Sequence, residues 1–297
     1  MSNKSRVKSL KEEKSLTTNY SSFITRFFLA YQFLTIVPLR VSGEISEKEI
    51  GRTPIFFPLV GVFQGISLVA AGVILRKIFS LELTNGLLIL LLVLINGSFH
   101  LDGLADTFDA IASRGNIEKK LSIMKDSTIG PAGVVAIVFA LLLKFLALNS
   151  LSLLPHPIFY SAVFLMPILS KWTMVISMLH GKPARQDGLG KIFMKSINIR
   201  SVILSTFLMI LLFVLIVAIH IIFNKVIPIN PTFTKGRVGG LLLFLIVLLA
   251  LLYLLSLLLV RFFDKSFGGL TGDTLGAISE ITELAFLLII IWFKSIV

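Results

Sequence analysis

Gly86-Leu-Leu-Ile-Leu-Leu-Leu-Val-Leu-Ile-Asn96-Gly-Ser-Phe-His100-Leu-Asp102-Gly-Leu-Ala-Asp106-Thr-Phe-Asp109 begins as a segment made for lipid and ends as one that lipid would reject. Its apolar run, 86–101, gives way to three carboxylates at positions i, i+4 and i+7. At 3.6 residues per turn this spacing returns Asp102, Asp106 and Asp109 to one narrow helical stripe. Like charges so close repel, and a divalent cation is the usual remedy. Hard oxygen ligands in a chain without Cys point to Mg²⁺ or a similar ion, shared with substrate phosphates, rather than to a thiolate site. Gly103 and Ala105, between the acids, would leave room for a bulky phosphate ester.

The rest of the chain explains why such a motif stands at the end of a greasy segment. Of 297 residues, 56% are hydrophobic and 15% charged, and the mean hydropathy is +0.94, far from an ordinary soluble domain. Apolar stretches at 54–79, 86–101, 131–154, 157–179, 200–222, 238–262 and 274–296 come close to the ~20 residues that a bilayer demands. The expectation is an all-α, polytopic transmembrane helix bundle of about seven spans. Without Cys there are no disulfides and no catalytic thiol. No internal repeat and no shift of composition divides the bundle, so residues 21–297 read as one integral-membrane catalytic domain behind a basic, flexible tail, 1–20.

A net charge of +12 would suit nucleic acid, but in a membrane protein the placement of Lys and Arg is the better guide, and no nucleic-acid partner is expected. If the six segments from 54 to 262 each cross once, the loops near 40–53, 102–130, 180–200 and 261–273 emerge on the same face. Most of the cations are there, among them Arg40, Lys48, Arg52, Lys125, Arg185 and Arg261, against Arg76, Lys77, Lys225, Lys235 and Arg237 opposite. The bias makes the first face cytoplasmic and the protein a multi-pass occupant of the cell membrane, with lipid as its partner. The basic tail belongs on that side too, so 24–39 should not cross. A short re-entrant or interfacial helix ending at Pro38 fits.

Four polar islands meet on this face by topology alone. The first is the aspartate stripe, preceded by His100, which is suited to orienting a carboxylate or a substrate hydroxyl or else to a structural role. The second, Lys125-Asp126-Ser127 followed by Gly130-Pro131, feeds the next helix. A helix start presents free N–H groups that attract phosphate, and Lys125 adds charge, although a plain Asp or Ser cap reads equally well. The third, His180 to Lys191, is a Gly-rich basic loop in which Arg185 donates to phosphate oxygens while Gly188 and Gly190 allow close backbone approach. An ordinary positive-inside loop would also be basic. The fourth, Gly272-Asp273-Thr274, opens a helix that carries Glu280 and Glu283, with Gly276 and Ala277 small enough for a close helix contact. Carboxylates entering a membrane helix are functional candidates by default, the bland alternative being a cap with the glutamates above the lipid. Lys144 and Lys171 lie inside apolar spans and should face the bundle interior or snorkel; a buried acid is one partner open to Lys144.

In this order the blocks resemble the cobalamin synthase family, the integral-membrane adenosylcobinamide-GDP ribazoletransferases. His100-Leu-Asp-Gly-Leu-Ala-Asp-Thr-x-Asp109, Ile123-Met-Lys-Asp-Ser127 with Gly130 and Gly133, Ala184-Arg185 before Gly188-Leu-Gly190, and Gly272-Asp-Thr-Leu-Gly-Ala277 with Glu280 and Glu283 carry the likeness. Gln32 to Pro38 and Phe57 to Gly61 look like its N-terminal elements, so the likeness covers roughly 27–290. Asn96-Gly-Ser-Phe99 departs from a more glycine-rich pattern, and Lys171 stands where Arg is expected. The resemblance implies Mg²⁺-dependent joining of adenosylcobinamide-GDP to α-ribazole, or its 5′-phosphate, with release of GMP. It casts Asp102 and Asp106 as metal ligands and Asp109 as a third ligand or as the base. Lys125, Asp126, Ser127, Arg185, Gly188 and Gly190 are cast as substrate or phosphate contacts, and Asp273, Thr274, Glu280 and Glu283 more loosely as further contacts or a second metal site. A CDP-alcohol phosphotransferase is the competing enzyme class, weakened by Asp106 following Ala105 where that signature has Arg. A transporter is the competing non-enzyme and predicts acids at mid-membrane and on both sides. A homo-oligomer is compatible with the sequence.

Overall fold

A computed structural model describes residues 23–39, 45–226 and 237–294. The expected tail 1–20, together with Arg40 and Lys235, lies outside the described residues. The described chain is helical throughout, without strands: α1 (Phe23–Leu34), α2 (Glu47–Gly51), α3 (Phe57–Leu75), α4 (Leu81–Ile95), α5 (Phe99–Ala112), α6 (Ile117–Ile123), α7 (Pro131–Ser152), α8 (His156–His180), α9 (Gly188–Ser196), α10 (Ile199–Val226), α11 (Arg237–Phe267) and α12 (Gly272–Lys294). Among these residues five helices are long and apolar enough to cross a membrane, and seven spans result if each of two bent pairs counts as one.

The bent pairs mark where a hydropathy reading alone falls short. The stretch 86–101 does not form one straight helix, for α4 and α5 meet at 87°. Gly97 and Ser98 both adopt φ of +61°, the left-handed region in which an α-helix cannot continue. Asn96 closes α4, and its side-chain oxygen accepts from Gln64 Nε2 of α3 at 2.7 Å, while the Ile95 carbonyl accepts the Ile36 N–H at 2.9 Å. The backbone groups released by the break thus find partners inside the protein, as membrane depth requires. The second bend, 92°, separates the amphipathic α9 from α10.

Local signals set the other boundaries. Pro131 stands in the first turn of α7, Ser80 caps α4 through the Leu83 N–H, and Asn116 caps α6 through that of Lys119. Helix α3 lies along α8 at close range because Gly61 and Gly65 face Pro167, Ile168 and Phe164, where any side chain would collide with backbone. Helix α1 is too short to cross. It docks on α3 and α9 through Phe27 on Phe63 and Phe33 on Phe57 and Phe193, and Arg26 pairs with Glu49 of α2. The end of α5, the starts of α7 and α12, the loop after α8, and α6 therefore gather at one end of the bundle.

Candidate active site

Helix α5 enters this charged end between α7 and α12, antiparallel to both. Gly103 lies against the Asp273 backbone, where a Cβ would fall 2.6 Å from the carbonyl oxygen, and Gly276 lies against the His100 backbone, where a Cβ would fall 3.2 Å from the His100 Cα. Ala105 is buried facing Gly133. The small residues among the acids therefore serve helix contact and leave no room for a phosphate ester. His100 is buried at this seam, and its Nε2 has no hydrogen-bond partner among the described residues.

The three aspartates divide into two roles. Asp109 reaches across to α7, its Oδ2 accepting the Gly130 N–H at 2.7 Å and its Oδ1 the Gly133 N–H at 2.8 Å. A carboxylate on a helix N-terminus satisfies amides that have no partner within the helix and complements the helix dipole. The helix start that sequence marked for phosphate is thus already filled from within the chain. Gly130 permits this, because a Cβ there would fall 2.5 Å from Asp109 Oδ1. Asp102 is exposed and Asp106 half-buried. The charges acting on Asp106 are Asp102, Asp273 and Asp109, opposed by Arg185. Among the described residues no three His, Asp or Glu side chains stand together as ready metal ligands. Asp102 and Asp106, one turn apart on α5, are hard oxygen donors of the kind that could hold a divalent cation.

Opposite the aspartates stands a cation shelf that only tertiary structure assembles. The loop after α8 is tied to the turn before α12 by a parallel bridge: the Ala184 N–H donates to Leu270 O at 2.9 Å and the Leu270 N–H to Lys182 O at 2.8 Å. Gly269, at φ +154°, allows it, since a Cβ there would fall 2.4 Å from the Lys182 oxygen. Arg185 is thereby fixed with Nη2 donating to Leu121 O at 3.1 Å and Nη1 3.5 Å from Asp273 Oδ2, while its buried Nε has no partner among the described residues. Lys125 holds Asp187 at 3.2 Å, and this hydrogen bond keeps the Asp187 carboxyl below the usual range.

A cavity of about 330 Å³ opens here, lined by Lys125, Arg185, Lys191, Asp187, Gly188, Gly190, Thr271 and Asp273, with Phe33 of α1 on one side. A second, of about 280 Å³, contains Asp109 and Asp126. Ser127 lines neither. Sequence reading passed over Asp187, Lys191 and Thr271, although the first two lie in the basic loop it singled out. Phe33 carried no signal, because its place depends on how α1 docks.

Three residues of the expected site do structural work. Thr274 and Thr271 cap α12 reciprocally: the Thr271 N–H donates to Thr274 Oγ1 at 2.8 Å and the Thr274 N–H to Thr271 Oγ1 at 3.1 Å. Glu280 and Glu283 lie deeper, away from the cavity. Each accepts from Lys144 Nζ at 2.6 Å, and Glu283 also accepts from Ser170 Oγ at 3.1 Å and lies 3.6 Å from Lys171 Nζ, which donates to Ser279 Oγ at 3.0 Å. All four charged groups are buried, and two cations balance two anions. Their position on α12 placed them near Asp273 along the chain, but the opposing lysines of α7 and α8 claim them.

Fold and site together define a class: an all-α, multi-pass membrane protein with a cation-lined cavity beside a row of carboxylates at one end of the bundle. A family model described as cobalamin-5-phosphate synthase matches residues 26–291, and the chain belongs to that family. It is similar to the adenosylcobinamide-GDP ribazoletransferase of Thermodesulfovibrio yellowstonii, 37% identical over 271 residues that cover 89% of this chain and 95% of the relative. The protein of the same name from Geotalea daltonii is 33% identical over 267 residues, covering 89% and 96%, and that from Clostridium tetani is 30% identical over 270, covering 91% and 97%. No solved structure matches the chain. The chain is accordingly a transferase of cobalamin biosynthesis.

Proposed function

We propose that this chain joins adenosylcobinamide-GDP to α-ribazole, or to its 5′-phosphate, releasing GMP, with Mg²⁺ held by Asp102 and Asp106. The observation that carries the reading is the meeting of Lys125, Arg185 and Lys191 with the α12 carboxylate of Asp273 around one cavity, while Asp106 of α5, which lines neither cavity itself, stands within range of the charges of Asp273 and Arg185. A diphosphate needs the cations, and the neighbouring acids would repel it without a metal between them. Bound Mg²⁺ would neutralise charge on the diphosphate and on the departing GMP. In the reaction an acceptor hydroxyl oxygen forms a bond to the phosphorus that carries the cobinamide. The bond from that phosphorus to the GMP oxygen breaks, GMP keeps the electron pair, and the hydroxyl proton passes to a base or to water. Arg185, clamped by Leu121 and Asp273, is the fixed donor to the diphosphate. Gly188 and Gly190 let backbone approach it, and Asp109 fixes the α5–α7 corner.

The charged end faces the cytoplasm in this reading, across the cell membrane, since its loops carry the Lys and Arg excess. Mid-bundle charges of the kind a transporter would use do occur, but Lys144, Lys171, Glu280 and Glu283 close on one another. The test uses the purified full-length chain. GMP should appear only when adenosylcobinamide-GDP, α-ribazole and Mg²⁺ are all present, and release of GMP without acceptor would contradict the proposal.

A further inference from the structure

The charged end holds two cavities of opposite character. The first is lined by three cations, Lys125, Arg185 and Lys191, which outnumber its two carboxylates, Asp187 and Asp273. The second is lined by Asp109, Ile123, Asp126, Thr128, Ile129 and Gly130, with no cation among them. They share a boundary, for consecutive residues Lys125 and Asp126 line one each. Asp106 is within electrostatic range of both, for the charges acting on it include Asp273 from the first cavity and Asp109 from the second.

The walls of the second cavity specify a ligand. Asp109 is aimed by two backbone N–H groups and Asp126 is held by the Thr128 N–H at 3.1 Å, and each carboxylate keeps lone pairs free to accept from hydroxyls. Ile129, 53% exposed, and the half-buried Ile123 supply apolar surface on an otherwise polar end of the molecule. Two carboxylates repel a diphosphate. An apolar ring carrying sugar hydroxyls satisfies both kinds of wall. A volume of about 280 Å³ suits a nucleoside, being close to the lower limit of ~300 Å³ for small-molecule sites, and is too small for a corrinoid.

We infer that this second cavity receives the acceptor nucleoside, with its ring on Ile123 and Ile129 and its sugar hydroxyls on Asp109 and Asp126. The inference rests on the two-substrate reaction proposed above. It divides the charged end into a cationic donor side and an acidic acceptor side, with Asp106 within electrostatic range of both. A 5′-phosphate on the acceptor then points to solvent, so the nucleoside part alone is recognised.

The experiment measures KM for each substrate with the other saturating, using full-length protein in lipid nanodiscs. Ile129→Trp, which fills the cavity, and Asp126→Asn, which removes a charged acceptor, should each raise the KM for α-ribazole roughly tenfold, the equivalent of one lost charge-assisted hydrogen bond. The KM for adenosylcobinamide-GDP should stay within about twofold, below what loss of one contact produces. The same two variants tested with α-ribazole 5′-phosphate should show the same rise. Thr128→Val, a milder change, guards against misfolding of the others and should move the acceptor KM in the same direction. An unchanged acceptor KM in all three variants, or a rise confined to the donor, overturns the inference. A wild-type protein that releases no GMP under any condition instead defeats the functional reading on which it stands.

Discussion

Helix α12 carries acids at two levels whose surroundings are opposite. Glu280 and Glu283 are buried and matched by Lys144 and Lys171, every contact made within the chain. Asp273, two turns earlier, accepts from the Thr271 hydroxyl at 3.2 Å, has Arg185 at 3.5 Å as its cation, and shares its neighbourhood with Asp102 and Asp106. All three are carboxylates, but their charge balance differs. In the bilayer interior an unmatched charge is costly, so a neutral, closed cluster is what can persist there. At the polar end water and ligands are available, so a surplus of carboxylates can persist there, and in the function proposed above those acids would hold the cation.

This contrast can be broken most severely from the inside. Lys144→Met leaves two buried glutamates with Lys171, 3.6 Å from Glu283, as their one cation, and should destabilise the protein by about 3–5 kcal/mol. Lys144→Met combined with Glu280→Gln removes one charge of each sign and should regain most of that loss in detergent melting curves; equal melting of single and double variants would refute the closed-cluster reading. At the polar end the sign reverses: Asp106→Asn should leave melting unchanged while turnover falls roughly 10²–10³-fold, about 3–4 kcal/mol of barrier. Near-normal activity in that variant would remove Asp106 from the metal. Asp109→Ala tests the division among the aspartates. Loss of its hold on Gly130 and Gly133 should cost about 0.5–2 kcal/mol of stability, in the manner of a lost helix cap, with the Mg²⁺ dependence of the remaining activity unaltered. A shifted Mg²⁺ dependence would return Asp109 to the metal set. Arg185→Ala should raise the KM for the GDP-bearing donor about tenfold, and an unchanged KM would exclude the clamp. The smallest effect is expected at Lys125→Ala, because its pair with Asp187 is exposed: no change in melting, and a donor KM raised roughly twofold that shrinks as salt increases.

Much of the bundle was legible in advance because hydropathy and length are local properties. The stretches 131–154, 157–179 and 274–296 became α7, α8 and α12 with ends within a few residues of those read. Less legible was the shape of 86–101, where Gly97 and Ser98, within the polar Asn96-Gly-Ser98 break, are left-handed and turn the chain through 87° between α4 and α5. Among the candidate residues, Lys125, Arg185, Gly188, Gly190 and Asp273 do line one cavity, as the topology of the loops required. Glu280, Glu283 and Thr274 were drawn in by their spacing from Asp273. Spacing along a helix gives the face of a residue and its height, but not what the neighbouring helix presents there.

From sequence alone followed the membrane, the helices, the clustering of polar loops at one end and the acids that make that end unusual, since each depends on composition and on a period of 3.6 residues. Only the tertiary structure decided how each charge is spent. Asp109 went to the start of α7, the glutamates to Lys144 and Lys171, and Arg185 to a shelf built by the Pro183–Leu270 bridge. Those outcomes turn on distances of 2.6–3.6 Å between residues more than twenty positions apart, and electrostatic partnership at that range is fixed by packing rather than by order in the chain.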